Sequence, residues 1–332
     1  MITTVVGSFP LEVKSPESGR DKFLNIFGAY DPYKRLIEEV VELQFNLGLD
    51  IVTEGQVRDD MIGIFVKHIP GFTYLHNSSV ITGKILPSNH NITVGDVRIA
   101  EHKLDELIKN SNLSSVEAER KGVKGIITGP STIVHSSRIE SFYKEKGHAI
   151  IDYAHAISKE ASALEGAGCK YIQIDEPFLS TGMVDLKVAK EAISIIVDTV
   201  NIPVGMHACG NLKGVFKQLT SFPVDILDFE FAGNNDNIKL LKEHKNLLKG
   251  KKLGLGCLDS ASKDLDEESR VREIIQTGID VMGEDNILLD PDCGLKKMKL
   301  ETAKNKLKLM IKLNNELSTK KNNNGSLNGY VL

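Results

Sequence analysis

The chain has 332 residues, 41% of them hydrophobic and 26% charged, with 41 Lys and Arg against 45 Asp and Glu. That balance is ordinary for a globular protein with a large core, and a formal net charge of −4 offers no basic surface for nucleic acid or an acidic membrane. No apolar run is long enough to span a bilayer, and MITTVVGSFP lacks the basic-then-apolar pattern of a signal peptide, so a cytoplasmic protein without a membrane partner is expected.

Taken in chain order, the strongest regularity is a short apolar run that ends in polar, Gly or Pro residues and is followed by a helical pattern. The runs cover 3–10, 50–56, 124–130, 170–177, 203–210, 225–233, 252–260 and 286–294. Apolar residues recur at helical spacing over 32–48, 148–166, 186–199, 236–248, 265–282 and 298–315, and 212–222 reads as a shorter helix. Strands alternating with helices imply parallel strands joined by crossovers, and eight such units predict a (β/α)8 TIM barrel. An open doubly wound sheet is disfavoured by the count and by the lack of a G-x-G-x-x-G turn after the first strand.

The interval 70–123 is too long for a simple connection. Its alternating stretch with turn residues predicts a β-hairpin insertion after the second strand, with a helix near 99–110. Residues 1–316 are expected to form one catalytic domain. The polar, Asn- and Lys-rich stretch from 317 to 332 is expected to be a disordered tail.

In such barrels the working residues lie at strand C-termini and in the loops that follow. His207 and Cys209 are two residues apart on the fifth run, so both side chains can reach one point at the barrel mouth. Glu230, ending the sixth run, and Cys293, ending the eighth, can converge there, which makes His207, Cys209, Glu230 and Cys293 a candidate zinc set. The competing reading is that Cys is a small buried hydrophobe. Cys169, at the start of a strand, reads as structural, and Cys257 is left out of the site. Two thiolates and a carboxylate more than offset the zinc charge, so the set is poorly suited to making hydroxide. It is better suited to holding a substrate thiol as thiolate, since a free thiol titrates near about 8.5. Alkyl transfer to sulfur is expected rather than hydrolysis.

Two further groups stand at strand ends. Asp175-Glu176 suits an ammonium group or acid–base work, against an ion pair on the barrel rim. Gly7-Ser8-Phe9-Pro10 offers N–H groups and a hydroxyl to a carboxylate, against a tight turn.

These residues together resemble the catalytic barrel of cobalamin-independent methionine synthase. The matches are VVGSFP (5–10), EGQVRDDM (54–61), GDV (95–97), ITGPSTI (127–133), IQIDEP (172–177), HAC (207–209), ILDFEF (226–231) and PDCGLK (291–296). The resemblance implies the same four zinc ligands, an ammonium contact from homocysteine to Asp175, and a carboxylate contact near Ser8. It also implies a zinc-bound thiolate that accepts a methyl group and becomes methionine. The family has Glu where this chain has Gln56, and Glu54 is the carboxylate nearest in sequence that could compensate. Familiar bacterial and plant members carry a second, N-terminal barrel. The short form, similar to archaeal proteins, points to a methylated corrinoid such as methylcobalamin as donor, with methyl-folate as the alternative. Two rival readings stand beside it: a zinc barrel acting on another thiol such as coenzyme M, and a non-catalytic zinc-binding protein.

Overall fold

The eight apolar runs fold as parallel strands that close into a ring, in a computed structural model that describes residues 1–16, 18–27 and 30–322. The strands are β1 (Ile2–Thr3), β2 (Ile51–Val52), β3 (Phe72–Leu75), β4 (Ser78–Ile81), β5 (Gly122–Val123), β6 (Gly125–Thr128) and β7 (Ser137–Ile139). They continue as β8 (Ile172–Asp175), β9 (Val204–Ala208), β10 (Ile226–Glu230), β11 (Lys252–Leu258) and β12 (Ile287–Pro291). Seven run side by side in the order β1-β12-β11-β10-β9-β8-β6, every pairing parallel. β5 and β6 are one extended segment broken at Lys124, and β5 pairs with β2. Backbone hydrogen bonds from Asp50 N–H to the Thr3 carbonyl and from Phe9 N–H to the Gly55 carbonyl, each 3.0 Å, then tie β2 back to β1. The fold is the TIM-barrel type read from the alternation.

Local chemistry places the helices. Asp31 accepts from the Tyr33 N–H at the start of Pro32–Leu47, Pro32 fills the first helical position, and Gly48 ends the helix in the left-handed region at φ 97°. Helices Lys146–Glu165, Leu186–Val197 and Glu268–Met282 lie where the apolar spacing predicts them. Some expectations are corrected. The run 50–56 is ladder-paired only at Ile51 and Val52, the helix expected over 212–222 is regular only at Phe216–Leu219, and 236–248 ends at Glu243 with a separate 3-10 turn Lys245–Leu248. The final helix runs Leu300–Asn322, so residues 317–322 of the expected disordered tail are helical. The rest of that tail lies outside the described residues.

Between β2 and β5, β3 and β4 form an antiparallel hairpin across a two-residue turn. His76 (φ 49°) and Asn77 (φ 58°) take the left-handed conformations that such turns demand. β4 also pairs in parallel with β7, giving a small three-stranded sheet beside the barrel. Among the described residues no helix is long and apolar enough to cross a membrane.

The barrel interior is layered. Ile2, Ile51, Tyr171, Ile226 and Leu288 form an apolar cluster of their own at the N-terminal ends of the strands. Above them, Lys124, Gln173, Asp228 and Asp290 are all at most 4% exposed. The third layer, at the strand C-termini, opens to the site.

Candidate metal and acceptor site

β9 delivers His207 and, one residue past its end, Cys209. The turn after β12 delivers Cys293. Their ligand atoms lie within 4.8 Å of one another. His207 is 2% exposed and both its ring nitrogens are buried without a hydrogen-bond partner, a state that costs free energy unless something else satisfies them. Register sets Asp228 of β10 opposite His207, with its Oδ1 3.2 Å from Nδ1. Burial disfavours the charged ring, but the Asp228 carboxylate outweighs that and raises the His207 pKa well above its ordinary value. The two thiols divide their protons. A hydrogen bond with Cys209, opposed by burial and helped by His207, brings Cys293 down to about 4, while the same hydrogen bond and burial push Cys209 up. One thiolate is therefore favoured even without a cation, and two sulfurs with one imidazole are the donor types that zinc prefers.

Glu230 does not join this set. Its Oε2 accepts the Gly210 N–H at 2.8 Å, so the carboxylate lies against the backbone next to Cys209. The loop after β10 is held by Asp292: its Oδ1 accepts from Phe231 (2.9 Å) and Ala232 (3.0 Å), and its Oδ2 from Gly233 (2.6 Å). Asp292 thus fixes the neighbours of Glu230 on one side while carrying Cys293 on the other.

His207, Cys209 and Cys293 line a cavity of about 500 Å³ together with Ser8, Gln56 and Asp175. Asp175 ends β8, is 5% exposed, and accepts a 2.6 Å hydrogen bond from Gln173 Nε2. Burial raises its pKa to about 6, against the pull of His207 and Lys124. Its neighbour Glu176 faces away. Glu176 takes the N–H groups of Ser131 and Thr132 at 2.9 and 2.8 Å, anchoring helix Pro130–His135, so the two carboxylates do different work. Gly129 makes room for this, since a Cβ there would sit 2.2 Å from Glu176 Cγ.

Ser8 meets the eighth strand's turn: the Leu295 N–H donates to the Ser8 carbonyl at 2.8 Å, and a Cβ on Gly294 would lie 2.2 Å from Ser8 Oγ. Gln56 lines the cavity at φ 45°. Glu54 is 4% exposed and does not line it; its Oε1 accepts the Gln56 N–H at 3.3 Å and its Oε2 is buried without a partner. Burial, with Asp96 and Asp175 adding, raises Glu54 to about 7. Arg58 is committed elsewhere, to Asp96 and Asp31, each at 2.7 Å. Cys169 and Cys257 are core residues, as expected of the first. Lys124, Gln173 and the cavity-lining Lys296 and Lys297 escaped sequence reading. The one available signal was a Gln two residues before Asp175 on the same strand face.

Residues 1–316 match the family model described as cobalamin-independent synthase, catalytic domain. The chain is 42% identical over 313 residues to a methionine synthase of Methanothermobacter thermautotrophicus, covering 94% of this chain and 98% of that protein. It is 40% identical to a methionine synthase of Methanocaldococcus jannaschii, covering 94% and 97%. Among solved structures, a B12-independent methionine synthase of a Shewanella species, in complex with selenomethionine, superposes with a TM-score of 0.77 at 19% identity. That match covers 96% of this chain and 98% of that one, and shows a shared fold.

Proposed function

The chain belongs to the cobalamin-independent synthase catalytic-domain family, and from that premise we propose that it is a zinc-dependent enzyme moving a methyl group from a methylated corrinoid to the thiolate of homocysteine. It is a methyltransferase of the methionine synthase kind. The observation that carries the zinc reading is the convergence of His207, Cys209 and Cys293 around two buried, unpartnered imidazole nitrogens. Those three residues would hold the ion, and Glu230, one residue from Gly210's clasp, is proposed as the fourth donor. Zinc bound there would keep the acceptor sulfur deprotonated and nucleophilic at neutral pH.

The chain's own groups do the rest. Asp175 takes the substrate ammonium group, its buried carboxylate gaining the cation that burial otherwise denies it. Ser8 and the backbone N–H groups around it take the substrate carboxylate, and Gln56 lies beside them as a neutral hydrogen-bonding wall. The imidazole of His207 is held against Asp228. The cavity walls keep water from competing with the sulfur for the methyl group. The corrinoid is preferred as donor because a methyl–cobalt bond can release its methyl group without protonation of the leaving group. A methyl on a folate nitrogen needs that proton.

The test is methionine formation by the zinc-loaded protein from homocysteine, with methylcobalamin and methyl-folate in parallel. Turnover with methylcobalamin is expected. Turnover with methyl-folate alone would reverse the donor assignment. No methionine from either would overturn homocysteine as acceptor and favour another thiol such as coenzyme M.

A further inference from the structure

Resting on the reading of the chain as a homocysteine methyltransferase, we propose that Lys124 and Gln173, which touch neither substrate nor metal, are positioning residues that aim the Asp175 carboxylate at the substrate ammonium group.

The argument runs from donors and acceptors. Lys124 interrupts the segment β5–β6, is 0% exposed, and points its ammonium into the barrel. Its Nζ lies 2.5 Å from Gln173 Oε1 and 5.5 Å from the centre of the Tyr171 ring. An ammonium can only donate, so the Gln173 side chain must present its oxygen to Lys124. That fixes the opposite orientation for the amide nitrogen. One of its hydrogens goes to the Val6 carbonyl at 2.8 Å and the other to Asp175 Oδ1 at 2.6 Å. Both amide hydrogens are used and the oxygen is taken, so the amide has no second arrangement of equal energy.

Geometry makes the chain of contacts directional. Gln173 and Asp175 are two apart on β8 and share its inner face, and register sets Ile126 beside Gln173 and Thr128 beside Asp175. Asp175 Oδ1 is therefore held from below, from the barrel interior. Among the described residues Oδ2 takes no hydrogen bond, and Asp175 lines the cavity. A carboxylate pinned through one oxygen leaves the other with a defined direction, which is what a single ammonium contact requires. The apolar layer just below shows that this barrel can fill its interior with Ile and Leu. A buried Lys is costly by comparison, and it is placed where its charge faces Asp175, Asp228, Asp290 and Glu54 together.

The test uses the full-length, zinc-loaded protein and two acceptors, homocysteine and 4-mercaptobutanoate, which keeps the thiol and carboxylate but lacks the amine. Gln173→Met preserves length and removes all three hydrogen bonds. It should raise the homocysteine KM roughly tenfold while leaving the inhibition constant of 4-mercaptobutanoate within about twofold. Zinc content should be unchanged. Placed in an Asp175→Asn background, the same change should add almost nothing. Lys124→Met should act in the same direction; if it does not fold, Gln173→Met still decides the matter. A Gln173→Met effect equal on both acceptors, or none on either, in an enzyme that makes methionine would overturn the positioning role alone. A wild-type protein that makes no methionine from homocysteine would overturn the acceptor assignment, and the positioning role with it.

Discussion

Replacing Asp292 with Ala should cost about 3 kcal/mol of stability and loosen the metal site. Three backbone donors converge on this carboxylate, from Phe231, Ala232 and Gly233, and the side chain is 3% exposed. Hydrogen bonds to a charged acceptor contribute about 1.5–3 kcal/mol each, so a simple sum would approach about 7 kcal/mol. The sum overstates the loss. The N–H groups of Phe231 and Ala232 also reach the Gly256 carbonyl, each at 3.1 Å, and keep that partner in the variant. Gly233 has no such second acceptor, so one buried donor is orphaned at about 1–3 kcal/mol and two are merely weakened. Asp292→Asn should cost about half as much, because its oxygen can serve two donors while its amide hydrogens oppose the Gly233 N–H. Urea denaturation of the zinc-free proteins isolates this term from ligation. Competition with a chromogenic chelator then reads the metal, whose affinity should fall roughly tenfold in the Ala variant, since the clamp spans the chain between Glu230 and Cys293. An Ala variant as stable as the parent, or an Asn variant as damaged as Ala, would refute the reasoning.

Cys293→Ser should lose bound zinc and methyl transfer together while still unfolding cooperatively; a normal zinc-to-protein ratio with normal turnover would sink the proposed site. Asp175, raised to about 6 by burial, is neutral below that pH, so the homocysteine KM should climb as pH falls through 6. Asp175→Asn should show a high KM at every pH, without that limb, in steady-state kinetics. Glu54 is raised from 4.5 to about 7, and the sign follows from which state holds the proton more tightly. The native state does, so stability is fully present below the unfolded value and is lost as pH rises through 7. Glu54→Gln should therefore stabilise the protein by up to about 3 kcal/mol at pH 8 and by little at pH 4, compared by urea denaturation at both.

The barrel was legible because its strands are apolar along most of their length and its crossovers carry helical spacing, both of which are local signals. The His207–Cys209 pair was legible for the same reason, since i and i+2 on a strand share a face. Cys293 could be joined to it only through the barrel's closure, in which β12 stands beside β1 and β11. What stayed hidden depends on partners distant in sequence. Glu230 shares its strand face with Asp228, yet its carboxylate is drawn to the Gly210 N–H, and no spacing rule foretells that choice. Lys124 looked like a strand-flanking cation and is fully buried, because its acceptor comes from residue 173. The helical start of the expected tail was masked by composition: Lys and Asn read as solvent-loving, but Leu313 and Leu317 still bury one face of the helix.

The motifs that carried the family resemblance also meet in space, and their contacts explain why they travel together. Ser8 of VVGSFP accepts from Leu295 of PDCGLK, Arg58 of EGQVRDDM pairs with Asp96 of GDV, and Glu176 of IQIDEP anchors the helix opened by ITGPSTI. Each pairing joins one rim loop to another, so the top of the barrel is a belt of mutual supports around the cavity. The price is a polar interior, and it needs glycines to fit. A Cβ on Gly254 would stand 2.5 Å from Asp228 Cβ, and one on Gly256 would stand 2.6 Å from Asp292 Oδ1. β11 therefore contributes no chemistry of its own at these two positions; it makes room for the carboxylates that β10 and β12 bring to the metal ligands. Gly254→Ala would push Asp228 off His207 without touching a ligand, separating the support of the site from the site itself.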